Sequence, residues 1–291
     1  MNPYIAIDIG GTEIKYAVCN PLAEIIYHQS TKTPKGVSNH RIQDEIQHII
    51  HDLLGRFPHV QGVGISTAGV VDTASGEIVY AGETMPQYQG TNLKQTVESI
   101  FGLRTIVAND VNCAALGEKW KGAAADRDHF FCITIGTGIG GALYCHDQLV
   151  VGSHYRAGEI GHSLYDKGSK TTYEQRAAIP ALLRNAQASL SDCNLSTYEL
   201  FHMARMGNEK CDDIVNAWSE EIARGLAEVI VIADPSLIVI GGGVSEQGDF
   251  LLDKIVSRID TYLPLNFSKT EVKMAELGNR AALFGAVYPF F

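Results

Sequence analysis

The chain has 291 residues, 45% of them hydrophobic and 19% charged, with no low-complexity segment; this is enough apolar material for two packed cores and argues against a long disordered tail. Its formal net charge of −10 repels phosphate backbones at long range and excludes nucleic acid as the main partner, yet still allows a nucleotide held locally by backbone N–H groups and a metal ion. The opening Met1-Asn-Pro-Tyr-Ile-Ala-Ile-Asp8 carries no basic segment, and Asp234-Pro235 breaks the longest apolar stretch, Val229–Ile240. Secretion and membrane insertion are therefore not expected. The six cysteines (19, 113, 132, 145, 193 and 211) form no C-x-x-C pair and sit mostly in apolar runs, so they read as reduced core thiols and the expected compartment is the cytoplasm.

In chain order, the sequence predicts a strand at Tyr4–Asp8, a tight Gly10-Gly11 turn, and strands at Ile14–Cys19 and Ile25–Ser30. Apolar residues at 42, 46, 49, 50, 53 and 54 fit one helical face over Arg41–Leu54. Next come a β-branched strand at Val60–Ser66 entering Thr67-Ala-Gly69, a helix over Leu93–Phe101, a strand at Thr105–Ala108 and a helix over Val111–Lys119. From Phe130 to Tyr144 the opening pattern returns: an apolar strand, a glycine-rich turn carrying a threonine, and an alternating strand. Two such hairpins heading the two halves suggest an internally duplicated, two-domain chain. The second half adds helices over Ile179–Ala188, Asp213–Ile232, Phe250–Leu263 and Arg280–Tyr288, and strands at Leu237–Ile240 and Glu271–Met274. Strands alternating with helices imply an α/β fold.

Asp8-Ile-Gly10-Gly11-Thr12 closes the first strand. Its glycines let backbone N–H groups approach an anion, and Asp8 could hold a hydrated Mg²⁺; a plain hairpin with a capping aspartate reads equally well from this stretch alone. Gly136-Thr137-Gly138-Ile-Gly-Gly141 contains G-x-G-x-x-G, but the dinucleotide reading requires a helix at the third glycine. Residues 142–152 have no helical stripe and carry a turn signal at His146-Asp147, so NAD is rejected; with no G-x-x-x-x-G-K-[ST], a P-loop is excluded too. Gly241-Gly242-Gly243 follows another strand, and three glycine turns at strand ends can surround one nucleotide.

Asn109-Asp110 ends a strand and opens a helix. Either residue serves as an N-cap; together, between the two phosphate turns, they favour a site in which Asp110 accepts a hydroxyl proton and Asn109 binds a hydroxyl. Glu159 and His162, flanked by Gly158 and Gly161, suit vicinal sugar hydroxyls, with a surface carboxylate and a loop histidine as the plain alternative. Glu174 opens a helix, where a favourable helix-end charge explains it as well as a sugar contact does.

Taken together, Asp8–Thr12, Ser66-Thr-Ala-Gly69, Asn109-Asp-Val-Asn112, Gly136–Gly141, Glu159-Ile-Gly-His162, Gly241–Gly243 and Ala281-Ala-Leu-Phe-Gly-Ala286 resemble, in order and over nearly the whole chain, the ROK group of bacterial sugar kinases in the actin-like (ribonuclease H-like) superfamily. The resemblance implies a two-domain fold with a cleft between the domains. The first domain would be residues 1–117 plus 278–291 and the second 118–277. It implies Asp110 as catalytic base, with Gly69, Asn109, Glu159, His162 and Glu174 on the sugar. ATP would be held by Asp8, Gly10, Gly11, Thr12, Gly136, Thr137, Gly138, Gly241, Gly242 and Gly243, with Mg²⁺ near Asp8, in a homodimer. ROK repressors share the motifs but carry an N-terminal DNA-binding domain, for which a first strand at Tyr4 leaves no room. Many ROK kinases also bind zinc through the counterpart of His162 and a cysteine cluster. Ser163–Tyr173 has no cysteine, and of the four ligands zinc needs only His162 remains a candidate, so no zinc is expected. Gly76–Gly82, Pro86–Asn92, Thr171–Ala178 and Gly243–Asp249 look like N-acetylmannosamine kinases that make the 6-phosphate. β-Glucoside kinases are the near alternative, and glucokinase is weakened by the absence of a loop rich in Asn-Pro and Trp at Glu83–Asn92. The non-enzyme alternative is a sugar-sensing protein without catalysis.

Overall fold

The alternating apolar residues at the N-terminus form β1 (Tyr4–Ile9), and the Gly10-Gly11 turn returns the chain as β2 (Glu13–Cys19), followed by β3 (Ile25–Lys32). The structure, a computed structural model, describes residues 2–34, 40–82, 85, 87–191 and 194–291; Met1, Glu83, Pro86 and Cys193, named above, lie outside the described residues. The chain divides into two units: Met1–Ala125 with Val151–Arg156 and Asn279–Phe291, and Asp126–Val150 with Ala157–Gly278.

In the first unit, helix α1 (His40–Arg56) buries Ile42, Ile46, Ile49, Ile50 and Leu53 in one core with Ile5, Ile7, Ile9, Val63 and Ile65 of the sheet. Then come β4 (Gly62–Thr67), a small hairpin of β5 (Val70–Asp72) and β6 (Glu77–Tyr80), α2 (Leu93–Phe101), β7 (Arg104–Asn109) and α3 (Asp110–Lys121). The sheet runs β3-β2-β1-β4-β7, antiparallel across β3, β2 and β1 and parallel across β1, β4 and β7.

The second unit holds β8 (His129–Ile135), β9 (Ile139–Cys145), β10 (Gln148–Val150), α4 (Tyr173–Ala177), α5 (Ile179–Leu190), α6 (Thr197–Arg205), α7 (Glu209–Ala233), β11 (Leu237–Gly241), α8 (Asp249–Ile259) and β12 (Glu271–Met274). Its sheet runs β10-β9-β8-β11-β12, again antiparallel on one side of its first strand and parallel on the other. The repeat read in two short hairpins is therefore a repeat of a whole five-stranded sheet.

The chain returns to the first unit as α9 (Ala281–Val287), whose backbone lies directly on α3 and β4. A Cβ on Gly285 would overlap the Cys113 carbonyl, one on Gly117 the Ala281 carbonyl, and one on Gly64 the Ala286 carbonyl. Four elements differ from expectation. The boundary expected near Glu118 falls inside α3, which continues to Lys121; the Glu118 carboxylate accepts the Ala123 N–H at 2.8 Å, and the chain changes unit only after Ala125. Helix α8 stops at Ile259, with a 3₁₀ turn at Asp260–Tyr262. The β5–β6 hairpin is too short for a periodic signal and is set by Asp72, whose carboxylate accepts the Ala74 and Ser75 N–H groups. Helix α6 was announced only by its capping box, Ser196 with Glu199.

Candidate active site

In the first unit, the parallel register places Asp8 beside Ser66, Ile9 beside Thr67, and Thr67 beside Asn109, all at the carboxyl ends of β1, β4 and β7. This is the end of an α/β sheet at which ligands bind. The Ser66 hydroxyl donates to Asp8 Oδ1 at 2.7 Å. Burial pushes the Asp8 carboxyl above its ordinary range, against the pull of the Ser66 hydrogen bond and the Lys15 charge.

Asn109 is fixed at both ends of its side chain. Its Oδ1 caps α3 by accepting the N–H groups of Val111 (2.9 Å) and Asn112 (3.1 Å), and its Nδ2 donates to the Gly69 carbonyl at 2.9 Å. Within this unit the Gly69 carbonyl is a backbone hook that orients Asn109. Asp110 is the first residue of α3, half-buried, with Oδ1 accepting the Val111 N–H at 2.9 Å. Cys113 of the same helix is fully buried, and its thiol is pushed up by burial first and then by the charges of Asp8 and, less, Asp110, while a hydrogen bond with Ser66 pulls it down. Nothing in the linear sequence marks Cys113 as a thiol that feels both carboxylate charges.

In the second unit, the two glycine turns end adjacent parallel strands. Thr134 of β8 is registered with Gly241 of β11, and a Cβ on Gly242 would meet the Ile135 backbone. The Gly136–Gly138 turn is closed by the Gly136 N–H on the Gly138 carbonyl (2.9 Å), while Thr137 is exposed at its tip. The Ser245 hydroxyl donates to the Gly242 carbonyl at 2.9 Å and fixes the other turn. A Cβ added to Gly136 or Gly243 would meet nothing within 4 Å, so each presents bare backbone outward. Gly10, Gly11 and Thr12 form the corresponding turn of the first unit, with the Gly10 N–H on the Glu13 carbonyl (3.0 Å) and the Gly10 carbonyl accepting the Thr33 hydroxyl (2.6 Å).

The Glu159–His162 loop is laid on β9 by two facing glycines. Gly158 has φ +90° and its Cβ would overlap the Gly141 carbonyl, while a Cβ on Gly141 would collide with Phe131 and the Gly158 carbonyl; only glycine at both positions permits the approach. Glu159 is half-buried and His162 exposed. A Cβ on Gly161 would overlap the Ile139 carbonyl and stand 3.4 Å from Cβ of Glu174, so the loop bearing Glu159 and His162 runs beside β9 and Glu174. Glu174 does more than was expected of it: its Oε2 accepts the Ile139 N–H at 2.8 Å and lies 2.6 Å from where a Cβ on Gly138 would stand. Glu174→Ala strips a partner from a part-buried backbone N–H, a loss of about 1–3 kcal/mol, checked as a lower melting temperature; an unchanged melting temperature would mean that this hydrogen bond does not hold the turn.

The loop that lacks cysteines is closed by hydrogen bonds. Arg176, to which the sequence reading gave no role, donates to the carbonyls of Leu164 (2.7 Å), Thr171 (2.7 Å) and Thr172 (3.1 Å), and to Glu221 Oε2 (3.1 Å). Asp166 accepts the N–H and hydroxyl of Ser169 at 2.7 and 2.6 Å.

Among known proteins, the sequence model of the ROK family matches residues 4–290. A β-glucoside kinase of Listeria monocytogenes is 32% identical over 294 residues, covering 98% of this chain and 96% of that protein. A glucokinase of Streptomyces coelicolor is 31% identical, covering 97% and 95%. Two solved structures superimpose over almost the full length. One is a ROK glucokinase of Streptomyces griseus in complex with glucose and AMPPNP (TM-score 0.83, 31% identity, 98% and 97% covered). The other is a Listeria monocytogenes protein proposed as an N-acetylmannosamine kinase (TM-score 0.86, 30% identity, 99% and 98% covered).

Proposed function

From the premise that this chain belongs to the ROK family and is a sugar kinase with the fold of the actin-like ATPase kinases, we propose that it transfers the γ-phosphoryl group of ATP to the 6-hydroxyl of a hexose-type sugar, foremost N-acetylmannosamine. The observation that carries the transfer is Asp110, held at the N-terminus of α3 beside a doubly anchored Asn109. A sugar hydroxyl is a weak acid, and a fixed carboxylate orients it and takes its proton as the phosphoryl group arrives. In the first unit Asn109 binds a further hydroxyl; in the second unit Glu159 and His162 are hydroxyl-binding groups, and the bare backbone of the glycine turns suits the phosphates of ATP.

Asp8 fits a hydrated Mg²⁺: it is a hard oxygen donor whose charge burial disfavours, so a nearby cation offsets its desolvation. When bound, Mg²⁺ neutralises charge on the β- and γ-phosphates. Ser66 holds Asp8 toward that task through its 2.7 Å hydrogen bond. A homodimer is the proposed assembly, checked by sedimentation. No described helix is long and apolar enough to cross a membrane.

N-Acetylmannosamine rests on the cysteine-free loop 163–173 and the sequence patterns around it. The second reading, β-glucoside kinase, is favoured by 32% identity over nearly the full length of such an enzyme. ATP consumption with N-acetylmannosamine, N-acetylglucosamine, glucose, cellobiose and fructose separates them. The highest kcat/KM is expected with N-acetylmannosamine, and a preference for cellobiose moves the assignment to the β-glucosides. No sugar-dependent consumption with any of them would leave a sugar-sensing protein.

A further inference from the structure

We propose that His129, Cys145 and His146 form a binding site for a divalent metal ion of the zinc class, separate from the glycine turns and the sugar loop of the same unit. The three residues offer one ligand atom each within 4.8 Å of one another. The grouping follows from the β8–β9 pairing. His129 opens β8 directly opposite Cys145, which closes β9, and such cross-strand partners carry their Cβ atoms about 5 Å apart. His146 is the next residue, and along a regular strand it would point to the other face. Instead, His146 (φ +50°) and Asp147 (φ +56°) take left-handed conformations in the tight turn to β10. The turn brings the His146 ring edge-on to that of His129, with centroids 4.9 Å apart.

Unlike the buried thiols Cys19, Cys113, Cys132 and Cys211, Cys145 is half-buried at the sheet end, as is His129, while His146 is exposed. The cluster is therefore reachable by an ion from solvent. His129 Nε2 lies 2.9 Å from Cys145 Sγ, so a thiol–imidazole pair already exists. Two imidazoles and a thiolate are a borderline-soft donor set, suited to Zn²⁺ and its probe Co²⁺ and unsuited to Mg²⁺ or Ca²⁺. Three protein ligands leave the fourth tetrahedral position to water. Binding displaces the thiol proton to solvent, and no oxidant or reductant is needed.

The place in the fold is distinct. The glycine turn joins the other ends of the same two strands, about 20 Å away along seven residues of strand. The backbone beneath the cluster is firm, since the Ser236 hydroxyl and N–H both donate to the His129 carbonyl, at 2.6 and 3.1 Å. A bound ion would tie the first strand of the second unit to its β9–β10 turn.

The test uses untagged full-length protein, stripped with a chelator and titrated with Co²⁺ and Zn²⁺. One Co²⁺ per chain is expected, with tetrahedral d–d bands and a thiolate-to-cobalt charge-transfer band, displaced by Zn²⁺. Zn²⁺ at about 100 times its Kd should raise the melting temperature by about 5–10 °C. Cys145→Ser should abolish the charge-transfer band. His146→Ala, at an exposed turn position, should weaken binding sharply and serves as the second variant if Cys145→Ser does not fold. His162→Ala should leave binding intact. Absence of a thiolate band in the wild-type protein, its persistence in Cys145→Ser, or loss of the metal in His162→Ala would each overturn the proposal. Bulk zinc content alone cannot decide whether the sugar loop binds zinc, because one zinc per chain would also follow from this cluster; the variants separate the two locations.

Discussion

Asp110→Asn is expected to lower kcat by about 10²–10⁴ while leaving the sugar's dissociation constant within a few-fold of wild type. The substitution keeps the shape of the side chain and an oxygen able to accept the Val111 N–H, as Asp110 Oδ1 does at 2.9 Å. What it removes is the acceptor for a hydroxyl proton. Helix α3 should stay capped, because the cap belongs to Asn109, whose carbonyl oxygen accepts two helix N–H groups. Asn109→Ala should therefore behave differently, losing about 1 kcal/mol of stability through the lost cap along with sugar affinity. Single-turnover and equilibrium-binding measurements separate the two variants. Near-normal turnover in Asp110→Asn would remove Asp110 from the role of base.

The second large effect lies away from the chemistry. Gly285→Ala is expected to lower stability by about 3–5 kcal/mol and the melting temperature by about 10 °C. The methyl group has no space, because its position coincides with the Cys113 carbonyl of α3 and approaches the Gly117 nitrogen. Both obstacles are backbone, so no side chain can turn aside, and α9 must lift from α3. Since α3 carries Asp110 at its first turn, kcat should also fall well below the melting temperature; a displacement of about 1 Å at a catalytic group costs up to about 10²-fold. Calorimetry on the purified variant checks the first part, and rates at low temperature the second. A melting temperature within a degree of wild type would mean that the two helices do not meet backbone to backbone.

Most strands and long helices were readable because their apolar residues follow periods of 2 or 3.6, as in Ile42–Leu53, and because glycine turns separate them. The hairpin after Gly141 was readable from His146-Asp147, although nothing in the residues suggested that the turn would swing His146 beside His129. Elements held by single capping interactions escaped, namely the Asp72 turn and the Ser196 cap of α6. At the candidate site, the residue types and their positions at strand ends were legible. The partners were not: Ser66 on Asp8, Cys113 under two carboxylate charges, Glu174 on the Ile139 N–H and Arg176 across loop 163–172 all depend on long-range register, which a linear sequence does not state. That α3 continues past Glu118, whose side chain caps the following turn, was not legible for a related reason.

The packing of α9 on α3 has a consequence for the order in which the protein matures. Domains usually complete themselves from the N-terminus as synthesis proceeds. Here the strands and helices of residues 2–125 lack the helix that covers α3, β1 and β4 until Asn279–Phe291 have been translated. The second unit, Asp126–Val150 with Ala157–Gly278, is complete first. The nascent half bearing Asp110 must wait with the flank at Gly64 and Gly117 uncovered, because the backbone that packs there arrives last.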